Sequence, residues 1–529
     1  MALGSWPGDS QRGAPPRRST TAIAARSVSP MESWHEELAR RMSAPQRHRL
    51  LQGYPMLPLM RPAAEHDRHE HRRADGELYT TSLREVPPRE KQGPWMELDP
   101  SRPLIVGVLP HTQCNPQVEG CGFCTFPHDP YDKGLLRSTA HVVSSHVESF
   151  FEEHPEMAKR RVDAVYFGGA TANLTPKAEL RDIGETLARN LDISGAEVTL
   201  EGIPTLFRSL LPSTFEVLLD MPVRHRRISM GVQTFDEAML DRMGRSRFGK
   251  RRDVEHVVAK AHRNGVTVSG DFLINLPSET RAQMLADADE AASLGFDQIC
   301  IYHLVLAEGQ GTPWAEDPAI RAALPSTDAA CDHWLAVREA LLARGYVQTT
   351  LTNFERADVH ASDRRFVYEE HSFTPERYDA LGFGPLSIST FTNLAQRRAV
   401  KLARSKSLQQ ILWGANDLFF AYDEEDLRLL FLTRTLVRLH VSHATYRALF
   451  GANLTDHFEA AIEAVLAAGL ATLDADALRL TPRGMFYADS VAGLFAWPRV
   501  ESLRAGGAGR HTRDLLKGPL QLRFHDAMG

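Results

Sequence analysis

The densest chemistry in the sequence is Cys114-Asn-Pro-Gln-Val-Glu-Gly-Cys121-Gly-Phe-Cys124. Three of the chain's five cysteines fall within these eleven residues. Thiolates are soft ligands that favour zinc and iron–sulfur assemblies. Structural zinc ordinarily takes four protein ligands in two close pairs. No second pair is present, because Cys300 and Cys331 are solitary and read as packed core cysteines. The trio predicts a metal or redox site with one coordination position left open, as on a cubane cluster with one unliganded iron. A zinc site completed by His128 is the alternative that the spacing allows. A second run of ligand types, Glu65-His66-Asp67-Arg68-His69-Glu70-His71-Arg72-Arg73, reads as a solvated charged loop.

The elements that must hold the cysteine loop start at Pro103. From there short apolar runs alternate with amphipathic stretches of helical period. The strand candidates are Leu104–Leu109, Ala164–Phe167, Glu197–Glu201, Arg227–Gly231, Val266–Leu273 and Gln298–His303. Helices such as Thr139–His154, Pro176–Asn190, Asp253–Asn264 and Thr280–Leu294 lie between them. Several strands are apolar almost throughout, as strands covered on both faces tend to be. Six βα units in series predict a parallel sheet curved towards a barrel, with chemistry at the carboxyl ends of its strands. The cysteine loop directly follows the first strand, at that end.

Past Ala315 the alternation becomes irregular. A helix at about Thr327–Arg344 leads to a strand at Tyr346–Asn353 and a turn at Gly382-Phe383-Gly384-Pro385. Helices return at Glu424–Leu439, Ser442–Phe450 and Thr455–Ala468, and a short strand pair follows around Ala471–Leu480. That order suggests a winged-helix-like module. The expected organisation is an over-extended start or disordered tail at 1–30, an N-terminal extension at 31–102 and the barrel at 103–315. A sheet extension at 316–415, the helical module at 416–500 and a tail at 501–529 complete it.

A three-cysteine loop after the first strand of a βα array resembles the radical S-adenosyl-L-methionine (SAM) superfamily. Phe123, the aromatic residue before the third cysteine, fits that pattern. Val165-Tyr166-Phe167-Gly168-Gly169-Ala170-Thr171-Ala172 resembles the glycine-rich segment after the second strand. Leu200-Glu201-Gly202-Ile203-Pro204, Ser229-Met230-Gly231-Val232-Gln233-Thr234-Phe235, Met243-Gly244-Arg245 and Gly270-Asp271-Phe272-Leu273-Ile274-Asn275-Leu276-Pro277 follow in order. Leu351-Thr352-Asn353-Phe354-Glu355-Arg356, Leu381-Gly382-Phe383-Gly384, Ala468-Gly469-Leu470 and Leu480-Thr481-Pro482-Arg483-Gly484 continue the series. This series is similar to the oxygen-independent coproporphyrinogen III oxidase-like branch, from about residue 104 to 490.

The resemblance implies an α/β fold: a partial (β/α)6 radical SAM barrel with an extended sheet region and a C-terminal helical, winged-helix-like domain. It implies that Cys114, Cys121 and Cys124 hold a [4Fe–4S] cluster, with SAM chelating the fourth iron. An electron from the cluster then splits SAM into methionine and a 5′-deoxyadenosyl radical. Gly168, Gly169, Thr171 and Phe123 would border the cofactors, and Glu201, Gln233, Arg245 and Asp271 would contact SAM. The residue types agree, since a carboxylate accepts from ribose hydroxyls and a guanidinium forks onto a carboxylate. The chain departs from the pattern in two places. Six residues separate the first two cysteines where relatives usually have three, and Ala170-Thr171-Ala172 replaces a third glycine with its following Thr-Pro or Thr-Ser.

The branch is functionally mixed. The leading expectation is an enzyme whose radical modifies a small organic substrate, with C-methylation or related carbon–carbon chemistry favoured. The alternatives are oxidative decarboxylation of coproporphyrinogen III and a haem-binding or haem-delivery protein. An electron donor such as flavodoxin or ferredoxin would be a partner. The 529 residues carry a net charge of −6, which gives no general basic footprint for nucleic acid. No stretch reaches the roughly 18 to 20 apolar residues of a membrane span. Five cysteines are too few for a disulfide scaffold. The expected compartment is the cytoplasm.

Overall fold

Side chains alternate across a β-strand, so each strand offers one set of residues to either face of its sheet. In the computed structural model, residues 69–72, 78–81, 99–114, 121–124, 126, 129–208, 213–306, 312–404 and 418–505 are described. Six strands follow the expected runs: β1 (Leu104–Val108), β2 (Val162–Phe167), β3 (Glu197–Gly202), β4 (His225–Gln233), β5 (Thr267–Ile274) and β6 (Gln298–His303). They pair in parallel in that order. Helices α1 (Lys133–Glu153), α2 (Lys177–Asn190), α3 (Arg251–Arg263) and α4 (Arg281–Leu294) lie in the crossovers. Helix α1 starts at Lys133 rather than Thr139, because the Asp132 side chain caps it by accepting from the Leu135 amide at 2.7 Å.

One set of strand residues faces the helices. Val165, Phe167, Val198, Leu200, Ile228 and Met230 share a buried cluster with Val143, Ile183, Val257 and Ala288 of the helices. Each such side chain contributes about 1.5–3 kcal/mol on leaving water. The other set is polar: Glu197, Thr199 and Glu201 on β3, Arg227 and Ser229 on β4, Ser269 and Asp271 on β5. The expectation of strands apolar on both faces therefore fails for the inner face, which is enclosed and polar.

The sheet extends beyond the six strands. Helix α5 (Thr327–Ala343) is followed by β7 (Tyr346–Gln348) and β8 (Asn353–Arg356), and β8 runs antiparallel beside β6. The single strand expected at Tyr346–Asn353 is in fact two, because Thr350 turns the chain and its hydroxyl accepts from the Asn353 amide at 3.3 Å. A five-residue helix, α6 (Tyr368–Ser372), precedes β9 (Asp379–Phe383). Strand β9 pairs in parallel with β1, so Gly382 and Phe383 end a strand and the expected turn begins only at Gly384, whose φ is +94°. Strands β10 (Ile388–Asn393), β11 (Arg398–Ala403) and β12 (Leu418–Tyr422) add antiparallel neighbours. The finished sheet has twelve strands in the order β12-β11-β10-β9-β1-β2-β3-β4-β5-β6-β8-β7.

Buried ion pairs brace the amino-terminal end of this sheet. Asp379 accepts from Arg102 Nε at 2.9 Å and also from Arg160, and all three are buried. Arg227 lies between Glu197 and Glu355, 3.6 Å from each.

Helix α7 (Glu424–Val437), β13 (His440–Ser442), α8 (His443–Phe450), α9 (Leu454–Ala467), β14 (Ala471–Leu473) and β15 (Ala477–Leu480) form the winged-helix-like part. Its three strands pair in the order β13-β15-β14. A helix not anticipated from the sequence, α10 (Ala488–Ala505), packs Phe495 into the same core as Phe431, Tyr446 and Val465. Within the Glu65–Arg73 run, His69–Arg72 is a strand paired with Leu78–Thr81, which corrects the expectation of a loop. Residues 1–68, His128 and 506–529 lie outside the described residues.

Candidate active site

The cysteine loop leaves the carboxyl end of β1 on stems that are tied together. Gln113 bridges to Asp129, the Asp129 amide donates to the Thr112 carbonyl at 2.9 Å, and the Asp132 amide donates to Gln113 Oε1 at 2.9 Å. Cys114, Cys121 and Cys124 are half-buried free thiols. Burial pushes the Cys114 thiol up to about 12 and the Cys124 thiol up to about 11, and neighbouring sulfurs add to both. Arg245 works against that rise. Its Nη1 donates to Cys121 Sγ at 3.1 Å, its Nη2 donates to the Gly231 carbonyl at 2.7 Å, and its guanidinium stacks 4.1 Å from the Phe248 ring centroid.

Gly122 and Phe123, between the second and third cysteines, are wedged against Trp314. The Gly122 amide donates to Met243 and the Trp314 amide to Gly122. A Cβ on Gly122 would lie 2.3 Å from the Trp314 ring, so no other residue fits there without movement. Phe123 packs on Trp314 with ring centroids 6.2 Å apart.

Strand β2 brings the glycine segment alongside. The Gly168 amide donates to Val108, and a Cβ on Gly168 would meet Glu201 Oε2 at 2.8 Å. Gly169 sits at φ +115°, a conformation that side chains resist, and its amide helps hold the Glu201 carboxylate. Thr171 is buried and close enough to Cys114 to lower its thiol, yet its hydroxyl has no hydrogen-bond partner of normal geometry.

Glu201 and Asp271 face each other from β3 and β5. Burial, and then the Asp271 charge, raise Glu201 to about 8. Burial raises Asp271 to about 6, against contributions from Cys300, Ser229 and Arg245. Gln233 occupies a left-handed backbone position (φ 73°) at a break in the β4–β5 register. A Cβ on Gly231 would lie 3.1 Å from both Gln233 Nε2 and Arg245 Nη2, so these two side chains converge.

All the residues expected at the site are therefore brought together around the carboxyl ends of β1 to β5. Four that the motifs did not assign join them. Tyr166 donates to Glu201 at 3.4 Å and stacks on Tyr368 of α6, with centroids 4.8 Å apart. Glu369 accepts from Asn353 of β8 and feels the Asp271 charge, and burial raises it to about 7. Tyr166, Glu201, Asp271, Tyr368 and Glu369 are all half-buried. Tyr166 could have been found by strand parity, because it lies on the same face as Ala164. Glu369 carries no signal in the sequence.

The residues fit a thiolate-bound cluster with a polar ligand beside it. The donors are soft, a guanidinium offsets their charge, and buried polar atoms are left over. His111 Nε2, Gln113 Nε2, Thr171 Oγ1 and Arg245 Nε are all buried without a hydrogen-bond partner. Unmet buried groups of this kind cost about 1–3 kcal/mol each, so natural sites keep them for a ligand or a structural reason. Among the described residues, no three His, Cys, Asp or Glu side chains come close enough to share one metal ion. Thiolates that each bind a different iron need a wider spacing.

Residues 110–291 match the radical SAM superfamily, and residues 423–487 match the HemN C-terminal domain. The chain thus carries a radical SAM domain followed by a HemN C-terminal domain, and radical SAM family members bind a [4Fe–4S] cluster and SAM. It is 26% identical over 236 residues to "Heme chaperone HemW" of Lactococcus lactis, covering 44% of this chain and 58% of that protein. It is 24% identical over 303 residues to "Radical S-adenosyl methionine domain-containing protein 1, mitochondrial" of Danio rerio, covering 55% of this chain and 62% of that one. The chain thus spans about three fifths of the length of these relatives. The crystal fold of HemN, the coproporphyrinogen III oxidase of Escherichia coli, superposes with a TM-score of 0.60 at 18% identity. That match covers 76% of this chain and 91% of HemN, and it shows a common fold. No helix among the described residues is long and apolar enough to cross a membrane.

Proposed function

We propose that this protein is a radical SAM enzyme in which Cys114, Cys121 and Cys124 hold the cluster and Gly168, Gly169, Thr171, Glu201, Gln233, Arg245 and Asp271 surround SAM. The observation that carries this reading is Arg245, which reaches Cys121 and the Gly231 carbonyl with one guanidinium near Gln233 and Asp271. When bound, the cluster and SAM supply a 5′-deoxyadenosyl radical able to take hydrogen from an unactivated carbon. The chain's own residues do the rest. Arg245 offsets thiolate charge at Cys121. Glu201 is set by its enclosure to be a protonated acid near neutral pH until a cation enters, and it is held in place by the Gly169 amide and Tyr166. Phe123 packs on Trp314 beside the cysteines, and Tyr166 stacks on Tyr368 beside Glu201.

The substrate of this reading is a small organic molecule, modified by methyl transfer or related carbon–carbon chemistry. The reductant would be a flavodoxin- or ferredoxin-like donor in a reducing compartment such as the cytoplasm. The test is anaerobic incubation of the reconstituted protein with SAM and a reductant. 5′-Deoxyadenosine should exceed that of a Cys121→Ala control, and S-adenosylhomocysteine as co-product marks methyl transfer. Equal deoxyadenosine in both samples rejects the reading. The second reading, haem carriage, is favoured by the name of the Lactococcus lactis relative. It requires a stoichiometric haem absorbance band on titration and no deoxyadenosine.

A further inference from the structure

The amino-terminal end of the sheet holds an open cavity of about 440 Å³, at the far end of the strands from the cysteines. Arg161, Gly195 and Arg224 precede β2, β3 and β4 there, and the segment around α6 supplies the facing wall. Five arginines line it, namely Arg161, Arg224, Arg365, Arg377 and Arg438, against the three acids Asp163, Asp363 and Glu370. The acids are already engaged in part. Asp163 pairs with Arg161 at 2.8 Å and accepts from Tyr378 at 2.8 Å, and Glu370 pairs with Arg438 at 3.3 Å. Among the described residues, Arg224 and Arg377 have no acid partner. His371 stacks flat on Tyr378, with centroids 4.0 Å apart, and burial lowers it to about 4, so it is neutral near pH 7.

Guanidinium groups converging on one cavity are suited to bidentate contact with phosphate or carboxylate. The volume falls in the range of small-molecule sites. We infer that this cavity binds a small polyanion, one molecule carrying two or more phosphate or carboxylate groups, through Arg224 and Arg377 with Arg365 and Arg438 behind them. The site is separate from the thiol loop, so the inference stands or falls independently of the radical chemistry.

The experiment is calorimetric titration of the full-length protein with pyrophosphate and, separately, with citrate at constant ionic strength. One equivalent should bind saturably. Arg224→Ala and Arg377→Ala should each weaken binding by about tenfold. Asp363→Asn removes a competing charge and should tighten it by about twofold, a gain that misfolding cannot mimic. Binding of pyrophosphate alone identifies a phosphate ester, binding of citrate alone a polycarboxylate, and binding of both a site that reads charge count. No saturable binding of either probe overturns the inference. So does binding that is equally tight in the parent and all three variants.

Discussion

The two ends of the parallel sheet use charge in opposite ways. At the amino-terminal end the buried charges are matched in sign, as Arg102 and Arg160 converge on Asp379 and Arg227 sits between Glu197 and Glu355, although Arg227 Nε and Nη1 and Glu197 Oε2 make no hydrogen bond. At the carboxyl end they are not. Glu201 and Glu369 both feel the Asp271 charge, and burial pushes all three towards their neutral form. Four polar atoms around the cysteines have no partner. The first arrangement stabilises one geometry. The second gathers carboxyl groups of like charge beside the cysteines.

Substitutions at the two ends should separate cleanly. The largest effect is expected from Cys121→Ala, which removes a sulfur at the carboxyl end. Bound iron, acid-labile sulfide and deoxyadenosine should be lost, while the unfolding midpoint of the metal-free protein stays close to the parent's. A variant that unfolds yet keeps its iron breaks the comparison. Asp379→Ala does the converse. It leaves Arg102 and Arg160 buried and unpaired, at a cost of about 3–5 kcal/mol in urea unfolding. Iron content per folded molecule should not change.

Arg245→Ala lies between these extremes. It loses charge-assisted bonds worth about 1.5–3 kcal/mol, or roughly ten- to hundred-fold in apparent SAM affinity measured by equilibrium binding. Arg245→Lys should recover only part, because an ammonium lacks the fork that reaches Cys121 and Gly231 together.

The smallest effect sharpens the comparison through pH. Burial raises Glu369 to about 7 in the folded protein, above the ordinary glutamate value of about 4.3 it takes when unfolded. The unfolded chain therefore gives up this proton first. The stability Glu369 contributes is fully present below the unfolded value and is lost as pH rises towards and through about 7. The slope is at most about 1.4 kcal/mol per pH unit. Glu369→Gln should flatten it in urea titrations at pH 5, 6, 7 and 8. Identical slopes for parent and variant would place Glu369 in a solvated position.

Much of this contrast was legible in the sequence, and what was not has a common cause. The six strands and their helices announce themselves by local period; Glu201 and Asp271 lie in the carboxyl halves of their strands, and Cys114, Cys121, Cys124 and Arg245 in the segments that follow strands. Strand β9 gives no such notice, since its place beside β1 is a long-range pairing held by Asp379. The split at Thr350 depends on one side chain bonding to its own turn. Glu369 and Tyr368 reach the site from a five-residue helix too short to show a period. The polar inner face was written in the alternation of Glu197, Thr199 and Glu201, but the apolar residues between them dominate a simple hydropathy reading.

Helix α6 is a party wall. Its Tyr368 stacks on Tyr166 and its Glu369 feels Asp271 on the side of the carboxyl-end site, while Glu370 and His371, the next two residues, line the basin at the amino-terminal end. A single turn of backbone is all that separates the two compartments. Re-tailoring either one by editing this segment disturbs its neighbour, so an engineer who wants independent control should leave the wall alone and work on the strands.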